Sequence, residues 1–137
     1  MALFDSHLAL VGYDLPQTTA KPGDAVYVTL YWEAVAPATR NLRSFVHLLA
    51  PDGTLLGLSD NFHPGGLSIL ATSRWPVFSY VRDDHVVQID PATPPGVYTL
   101  HVGLWDGFTG ERMHLLDSAG QPGSQDGVVL TDHFVIN

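Results

Sequence analysis

The chain has 137 residues, and fourteen acidic side chains against six lysines and arginines give a formal net charge of −8. Nucleic acid and anionic membrane surfaces are bound by clustered basic residues, so this balance argues against both as partners. There is no cysteine, which excludes disulfides, thiolate zinc sites and thiol catalysis. With 45% hydrophobic and 15% charged residues, the sequence predicts a single folded domain over residues 1–137 that is not itself inserted in a membrane.

Eight segments are predicted to be strands, because each alternates apolar and polar residues or is rich in strand-forming residue types. Pro22-Gly23-Asp24 and Pro94-Pro95-Gly96 each begin a long strand, since proline fixes φ and glycine accepts φ > 0. We expect Gly96 and Gly110 to adopt such unusual backbone angles. In chain order, the predicted strands are 7–13, 25–35, 42–50, 55–60, 80–89, 97–105, 111–116 and 128–136.

The two longest strands indicate which side faces the core. In each, an apolar row alternates with a row of polar and aromatic side chains. We expect the apolar rows to be buried. They consist of Val26, Val28, Leu30 and Trp32 in the first of these strands and Leu100, Val102 and Leu104 in the second. The segment 42–50 is apolar on both sides, which predicts a central position in a sheet.

Residues 61–77 form the least regular stretch of the sequence. It contains His63-Pro64-Gly65-Gly66 and Trp75-Pro76, with a short apolar piece between them. That piece consists of Leu67, Ile69 and Leu70. We interpret the stretch as a long loop that crosses between two sheets and includes one helical turn. Loops of this length often carry function.

Short strands at regular spacing, separated by turn sequences, are typical of β-sandwiches. We therefore predict an all-β fold: an antiparallel two-sheet β-sandwich of about eight strands, either jelly-roll or immunoglobulin-like. Strand-like segments lie close to both ends of the sequence, so we expect the domain to be part of a longer protein.

A set of turn and strand motifs extends over nearly the whole chain, roughly residues 8 to 135. They are Leu10-Val11-Gly12-Tyr13-Asp14-Leu15, Pro22-Gly23-Asp24, Thr29-Leu30-Tyr31-Trp32, Phe45-Val46-His47-Leu48-Leu49, Asp52-Gly53, Pro95-Gly96-Val97-Tyr98-Thr99-Leu100, Val102-Gly103-Leu104-Trp105-Asp106 and Thr109-Gly110. Together they resemble β-sandwich accessory domains of membrane-associated, glycosyltransferase-like proteins of Chloroflexi-type bacteria. The pair Phe78-Ser79 stands where that pattern has Gly-Glu.

The resemblance implies fold and context, because the shared motifs are turns, core alternation and aromatic positions rather than catalytic groups. It implies a non-catalytic accessory, structural or protein-interaction module. The expected location is outside the cytoplasm, attached to a membrane protein. The expected partner is the rest of the parent polypeptide or another protein.

Aromatic side chains in the polar rows indicate an alternative function. Tyr27 and Tyr31 share their row with Glu33, and Trp105 shares a row with His101. Exposed rings can stack on the apolar faces of sugars while polar neighbours bond the hydroxyls. The alternative is therefore weak carbohydrate binding through these five residues. The competing explanation is that the rings pack against neighbouring strands.

No nucleophile–base motif, phosphate-binding glycine loop or closely spaced histidine pair occurs in the sequence. We therefore predict a domain that is not an enzyme and has no catalytic residues, metal site or cofactor. Histidines 47, 85 and 101 lie on three predicted strands, and two of them could share a zinc ion if their strands were neighbours.

A second alternative is a calcium-binding or hydrolytic sandwich domain. Calcium binds clustered oxygens at strand ends, and glycoside hydrolysis needs two facing carboxylates. The candidate calcium ligands are Asp60, Asn61, Asp83, Asp84 and Asp126. The only glutamates are Glu33 and Glu111.

Overall fold

The structure is a computed structural model that describes residues 1–65 and 71–137. Within these residues the chain is all-β, with one mixed sheet curled into a half-barrel. The strands are β1 (Ala2–Leu3), β2 (Leu8–Asp14), β3 (Thr19–Ala20), β4 (Ala25–Ala34), β5 (Leu42–Leu49), β6 (Leu55–Asn61), β7 (Tyr80–Ile89), β8 (Gly96–Asp106) and β9 (Val128–Ile136).

Across the sheet the strands follow the order β1-β2-β4-β7-β6-β5-β8-β9-β3. The neighbouring pairs are antiparallel, as predicted, except for β3 and β9, which run parallel. At the centre, β6 and β7 pair only through Gly57 with Ile89 and Leu58 with Gln88. This short joint divides the sheet into a first flank (β1, β2, β4 and β7) and a second flank (β6, β5, β8, β9 and β3).

Seven of the eight predicted strands are present, with ends within a residue of the predicted ones. The strand predicted over 111–116 is wrong. This segment forms only isolated bridges to separate parts of the chain: Arg112 to Trp105, Leu115 to Phe4 and Leu116 to Pro122. Because its backbone groups bond to different neighbours, no continuous ladder forms. The two-residue strands β1 and β3 are too short to give a periodic signal.

The predicted core is confirmed. Both apolar rows are buried, and they join one cluster with side chains from β2, β5, β7 and β9. Irregular pairing between Leu10 and Gly12 on β2, and around Leu100 on β8, interrupts the ladders. Such bulges increase local twist and bend strands, which suits a sheet that curls around its core.

The stretch predicted to be a crossing loop connects β6 and β7, which are neighbours in the one sheet, and it contains the expected helical turn, a 3₁₀ helix over Thr72–Arg74. The Thr72 hydroxyl fixes it to the start of β5: it donates to the Arg40 carbonyl (2.6 Å) and accepts from the Leu42 N–H (3.0 Å). The predicted apolar piece, Leu67, Ile69 and Leu70, lies outside the described residues. No helix in the described part of the chain is both long and apolar enough to cross a bilayer.

Of the two glycines expected to have unusual angles, Gly110 is confirmed with φ of 76°. Gly96 is wrong: it is the first residue of β8, where the backbone is extended, and a Cβ there would make ordinary contact with the Tyr98 ring at 3.5 Å. Phe78 instead has φ of 66°, in the left-handed region that favours glycine.

Candidate functional site

The five sequence-predicted sugar-binding residues fall into two groups. Tyr27, Tyr31 and Glu33 lie on β4 in the first flank, whereas His101 and Trp105 lie on β8 in the second. Strands β7, β6 and β5 lie between β4 and β8 in the sheet. The residues therefore belong to two separate outward faces and do not form one aromatic strip.

The outward face of β4 and β7 is aromatic, and beside β2 it carries an open cavity of about 440 Å³ lined by Val11, Gly12, Tyr31 and Tyr80. Tyr27 is 59% exposed, and Tyr80, opposite Glu33, is 71% exposed. The Tyr31 hydroxyl donates a 2.7 Å hydrogen bond to the Asp14 carboxylate, and this bond raises the pKa of Tyr31. The hydroxyl is thus already engaged by the protein.

Polar neighbours on this face are also paired with one another. Thr29 donates to Asp84 at 2.8 Å, and Arg82 Nε lies 3.1 Å from the same carboxylate oxygen. The Thr29 bond, together with Arg82, lowers the pKa of Asp84. Asp84 therefore belongs to a surface ion pair with Arg82 rather than to an assembled cation site.

The outward face of β5 and β8 is partly covered. Arg43, Phe45 and His47 on β5 lie opposite Trp105, Gly103 and His101 on β8, respectively. Phe45 points away from the core cluster yet is only 2% exposed. Residues 107–127 fold over it, with the Arg112 Cζ 4.8 Å from the Phe45 ring centroid.

Between this cover and the sheet lies a cavity of about 220 Å³, which we call the Trp105 depression. The Trp105 indole N–H donates to Asp60 at 3.0 Å, which holds the ring in place. The lining residues are Phe45, His47, Asp60, Trp105, Gly110 and Arg112. The depression thus combines two aromatic rings with an acceptor, a cation and an imidazole.

The His47 imidazole is uncharged at neutral pH. Burial, together with the positive charges of Arg112 and His101, lowers the pKa of His47 to about 4. A neutral imidazole offers one N–H donor and one acceptor nitrogen. His47 can therefore both give and accept a hydrogen bond from a ligand hydroxyl.

His101 lies beside the depression rather than in its lining. Burial lowers its pKa, and its Nδ1 is buried with no hydrogen-bond partner in the described residues. Its Nε2 is 3.9 Å from the Asp126 carboxylate, beyond hydrogen-bond reach. His47 and His101 are cross-strand neighbours, as the zinc hypothesis required. Over residues 1–65 and 71–137, however, no three His, Asp or Glu side chains are grouped to hold a metal.

A second polar cluster lies inside the core, where sequence reasoning did not expect one. Asp83 and His85 alternate with Val87 on the inward row of β7 and are completely buried. One oxygen of Asp83 accepts from the Trp32 indole at 2.9 Å and from the Ser44 hydroxyl at 2.6 Å. The same oxygen lies 3.0 Å from His85 Nε2.

The other Asp83 oxygen fixes the start of the crossing loop. It accepts from the Asn61 side chain at 2.6 Å and from the Gly65 backbone N–H at 2.8 Å. Burial alone would raise the pKa of Asp83, but the bonds from His85, Ser44 and Gly65 outweigh it, and the pKa lies below its ordinary value. Asp83 therefore joins loop, core and both flanks.

This cluster contains serine, histidine and aspartate but lacks the geometry of a catalytic triad. In a triad the acid holds one imidazole nitrogen and the other nitrogen faces the serine. Here His85 Nε2 faces both Ser44 (2.9 Å) and Asp83, and Nδ1 lies 2.8 Å from Ser59. Ser44 is fully buried, so the arrangement stabilises the fold.

Comparison with known proteins assigns no family. No protein-family model matches this chain, and no curated protein matches it. A functional proposal must therefore be drawn from the geometry of the two outward faces and from the sequence motifs.

Proposed function

We propose that this chain is a non-catalytic accessory module of a larger bacterial protein and that it binds a glycan in the Trp105 depression. The observation that carries the proposal is the position of Trp105 beside a concave, polar-rimmed site. The rim consists of Asp60, Arg112 and the neutral His47. In this depression an aromatic ring and side chains for hydrogen bonds line the same concave site.

The chemistry of the rim fits a sugar. A pyranose has apolar C–H faces that stack on an indole ring, and its hydroxyls both donate and accept hydrogen bonds. Asp60 supplies an acceptor, Arg112 a donor, and His47 either one. By analogy with aromatic pairs, one stacked ring contributes about 0.5–1.5 kcal/mol beyond its buried area. We therefore expect weak binding, with Kd from about millimolar to tens of micromolar.

The lining of the depression favours binding over hydrolysis. Asp60 is its one carboxylate among the described residues, whereas glycoside hydrolysis uses two within about 5–10 Å. Glu111 is paired with Arg40, and Glu33 lies on the other flank. The calcium alternative has less support, since Asp83 is consumed by the core cluster, Asp84 is paired with Arg82 and Asp126 is paired with Arg112.

We also infer that the two flanks act as the two layers of a sandwich, jelly-roll or immunoglobulin-like in connection. Two features support this inference. The flanks are joined by only two residue pairs at β6 and β7. Ser44 of the second flank meets Asp83 of the first across the core, at 2.6 Å. An experimental structure with the inner rows stacked face to face would bear this out, and an open trough would contradict it.

The accessory role rests on the resemblance, which implies a location outside the cytoplasm on a membrane protein. Exposed apolar side chains in loops support contact with the parent polypeptide or another protein. Phe108 is 93% exposed, and Phe78 is 69% exposed in a strained backbone conformation. Strained backbone conformations are held by the surrounding structure and cluster at functional sites.

The glycan proposal is tested by NMR titration of the domain with neutral oligosaccharides up to high millimolar concentration. We expect shifts confined to residues around Trp105, with binding lost in Trp105→Ala and weakened in Asp60→Asn. Tyr31→Ala, on the other outward face, is the matched control and should bind normally. Shifts that follow Tyr27 and Tyr31 instead, or no shift with any glycan, would overturn the assignment to this depression.

A further inference from the structure

A second cavity, of about 340 Å³, adjoins the Trp105 depression, and we call it the Arg43 pocket. Arg43 and Trp105 are directly opposite each other on β5 and β8. The Arg43 Cζ lies 5.1 Å from the Trp105 ring centroid and 4.2 Å from the Phe62 ring centroid. The pocket is lined by Asn41, Arg43, Phe62, His63, Gly107 and Phe108.

The charge of Arg43 is not neutralised by a neighbour. Three other arginines are paired with carboxylates: Arg40 with Glu111, Arg82 with Asp84 and Arg112 with Asp126. Over residues 1–65 and 71–137, Arg43 forms no such ion pair, although the chain has fourteen acids. Arg74 also has no carboxylate partner in this part of the chain, but it lies on the exposed surface. Arg43 is half-buried in a pocket wall.

The surroundings of Arg43 fix its guanidinium in place. Rings contact the faces of a guanidinium, which leaves the N–H groups at its edges for a ligand. Gly107 permits the packing, because a Cβ there would lie 2.4 Å from the Arg43 Nε. A held guanidinium loses little freedom when it binds, and its fork of donors matches a carboxylate.

We propose that the Arg43 pocket binds the carboxylate of an acidic sugar, a uronic acid within the glycan that occupies the Trp105 depression. The inference rests on the proposed glycan-binding function and adds the class of sugar. Phe62 and the 93% exposed Phe108 give the pocket apolar walls against which the sugar ring packs. The shared Arg43–Trp105 contact places the cation beside the stacking ring.

The test compares a galacturonic acid trisaccharide with a galactose trisaccharide by calorimetry and NMR, at low and high salt. We expect the acidic sugar to bind about ten-fold or more tightly at low salt, since a charged hydrogen-bonded pair is involved and salt screens it. Arg43→Gln should abolish this preference and Arg43→Lys should retain only part of it. Arg74→Gln removes the same charge elsewhere and should leave the preference unchanged.

Gly107→Ala provides a variant that keeps the charge. The three atoms nearest to the added methyl group all belong to the end of the Arg43 side chain, which must move away from the rings. No backbone atom is among them, so the fold should persist while the preference falls several-fold. Circular dichroism and melting temperature verify folding of each variant.

Two results would overturn the acidic-sugar assignment while leaving glycan binding intact: equal binding of both trisaccharides, and an acidic preference unaffected by Arg43→Gln. Benzoate binding as tightly as the uronate would overturn the sugar class, because a carboxylate on any ring would then suffice. An acidic preference that depends on Arg43 but is insensitive to Trp105→Ala would support the Arg43 pocket and contradict the stacking part of the proposed function.

Discussion

The outward faces of the two flanks arise from the same alternating pattern but differ in what covers them. On β4 the outward Tyr27 is 59% exposed, whereas on β5 the outward Phe45 is 2% exposed. The difference comes from residues 107–127, which fold over β5 and β8. Alternation therefore decides which side of a strand a residue occupies, and a loop decides whether that side becomes a binding site.

The two faces also treat charge differently. On the first flank, Asp84 and Arg82 form a pair with side chains 62% and 67% exposed, and such surface pairs contribute little to stability because solvent screens them. On the second flank, Arg112 lies over Phe45, and burial together with the Arg112 charge lowers the pKa of the half-buried His47. Partial cover thus turns ordinary side chains into groups with altered chemistry.

The comparison is tested most strongly by adding one methyl group to each face. A Cβ at Gly103 would lie 2.5 Å from the Phe45 ring and 2.9 Å from the Asp126 carbonyl oxygen. We expect Gly103→Ala to destabilise the domain by about 1–3 kcal/mol, because the ring and the covering backbone must both shift. The free energy of unfolding, from urea denaturation, measures the loss.

Gly12 is the matched position on the first flank, opposite Tyr31. A Cβ there would meet its nearest atom, Tyr31 Cδ2, at 3.9 Å, an ordinary contact. We expect Gly12→Ala to change stability by less than about 1 kcal/mol, since it lacks steric conflict and reduces the freedom of the unfolded chain. Equal effects at the two glycines would show that the faces are covered alike.

Much of the fold follows from the sequence because period-2 alternation is local. It predicted seven strands and both buried rows, including Val28 and Val102. The parallel partner of β9 was not predictable, because β3 has only two residues. The polar core cluster was missed because Asp83 and His85 interrupt an apolar row, and only tertiary partners such as Ser44 make their burial favourable.

The candidate site was predictable only in part. The sequence predicts Trp105 because its ring lies in a polar row, but Asp60 comes from the distant strand β6 and Arg112 from the covering segment. The approach of Asp60 depends on strand order and that of Arg112 on the path of the loop, and alternation encodes neither. The covering segment includes residues 111–116, for which the sequence predicts a strand, so no sequence pattern indicates the cover that creates the depression.

The second test uses the pH dependence of stability to measure how strongly the cover of the second flank affects the His47 imidazole. The folded pKa of His47 is about 4, against 6.5 for an ordinary histidine. As the pH falls, His47 therefore becomes protonated in the unfolded chain before it does so in the folded protein. Its contribution to the free energy of unfolding is complete above pH 6.5 and is lost as the pH drops toward 4. Allowing for solvent access, we expect a loss of about 1–2 kcal/mol.

His47→Gln should flatten this part of the stability profile, measured as the difference from the parent between pH 6.5 and 4. His101, whose pKa is also lowered by burial, acts in the same direction and leaves a residual slope. Asp83 contributes in a lower range, because its pKa lies below the ordinary value for aspartate. If the stability of His47→Gln changed with pH as that of the parent does, the covering segment would not be burying His47 enough to lower its pKa.

The smallest effects concern the left-handed positions beside each face. In the cover of the second flank, Gly110 has φ of 76° with open space around it, so Gly110→Ala should cost about 1 kcal/mol through backbone strain alone.

Beside the first flank, Phe78 has φ of 66° and donates its N–H to the Ala34 carbonyl at the end of β4. Phe78→Gly should therefore stabilise the isolated domain by about 1 kcal/mol, since glycine adopts this conformation freely. Opposite signs in thermal melts would mean that the Phe78 substitution relieves backbone strain and the Gly110 substitution introduces it, as expected if the exposed Phe78 ring serves a partner. A destabilised Phe78→Gly protein would instead mean that the ring supports the fold.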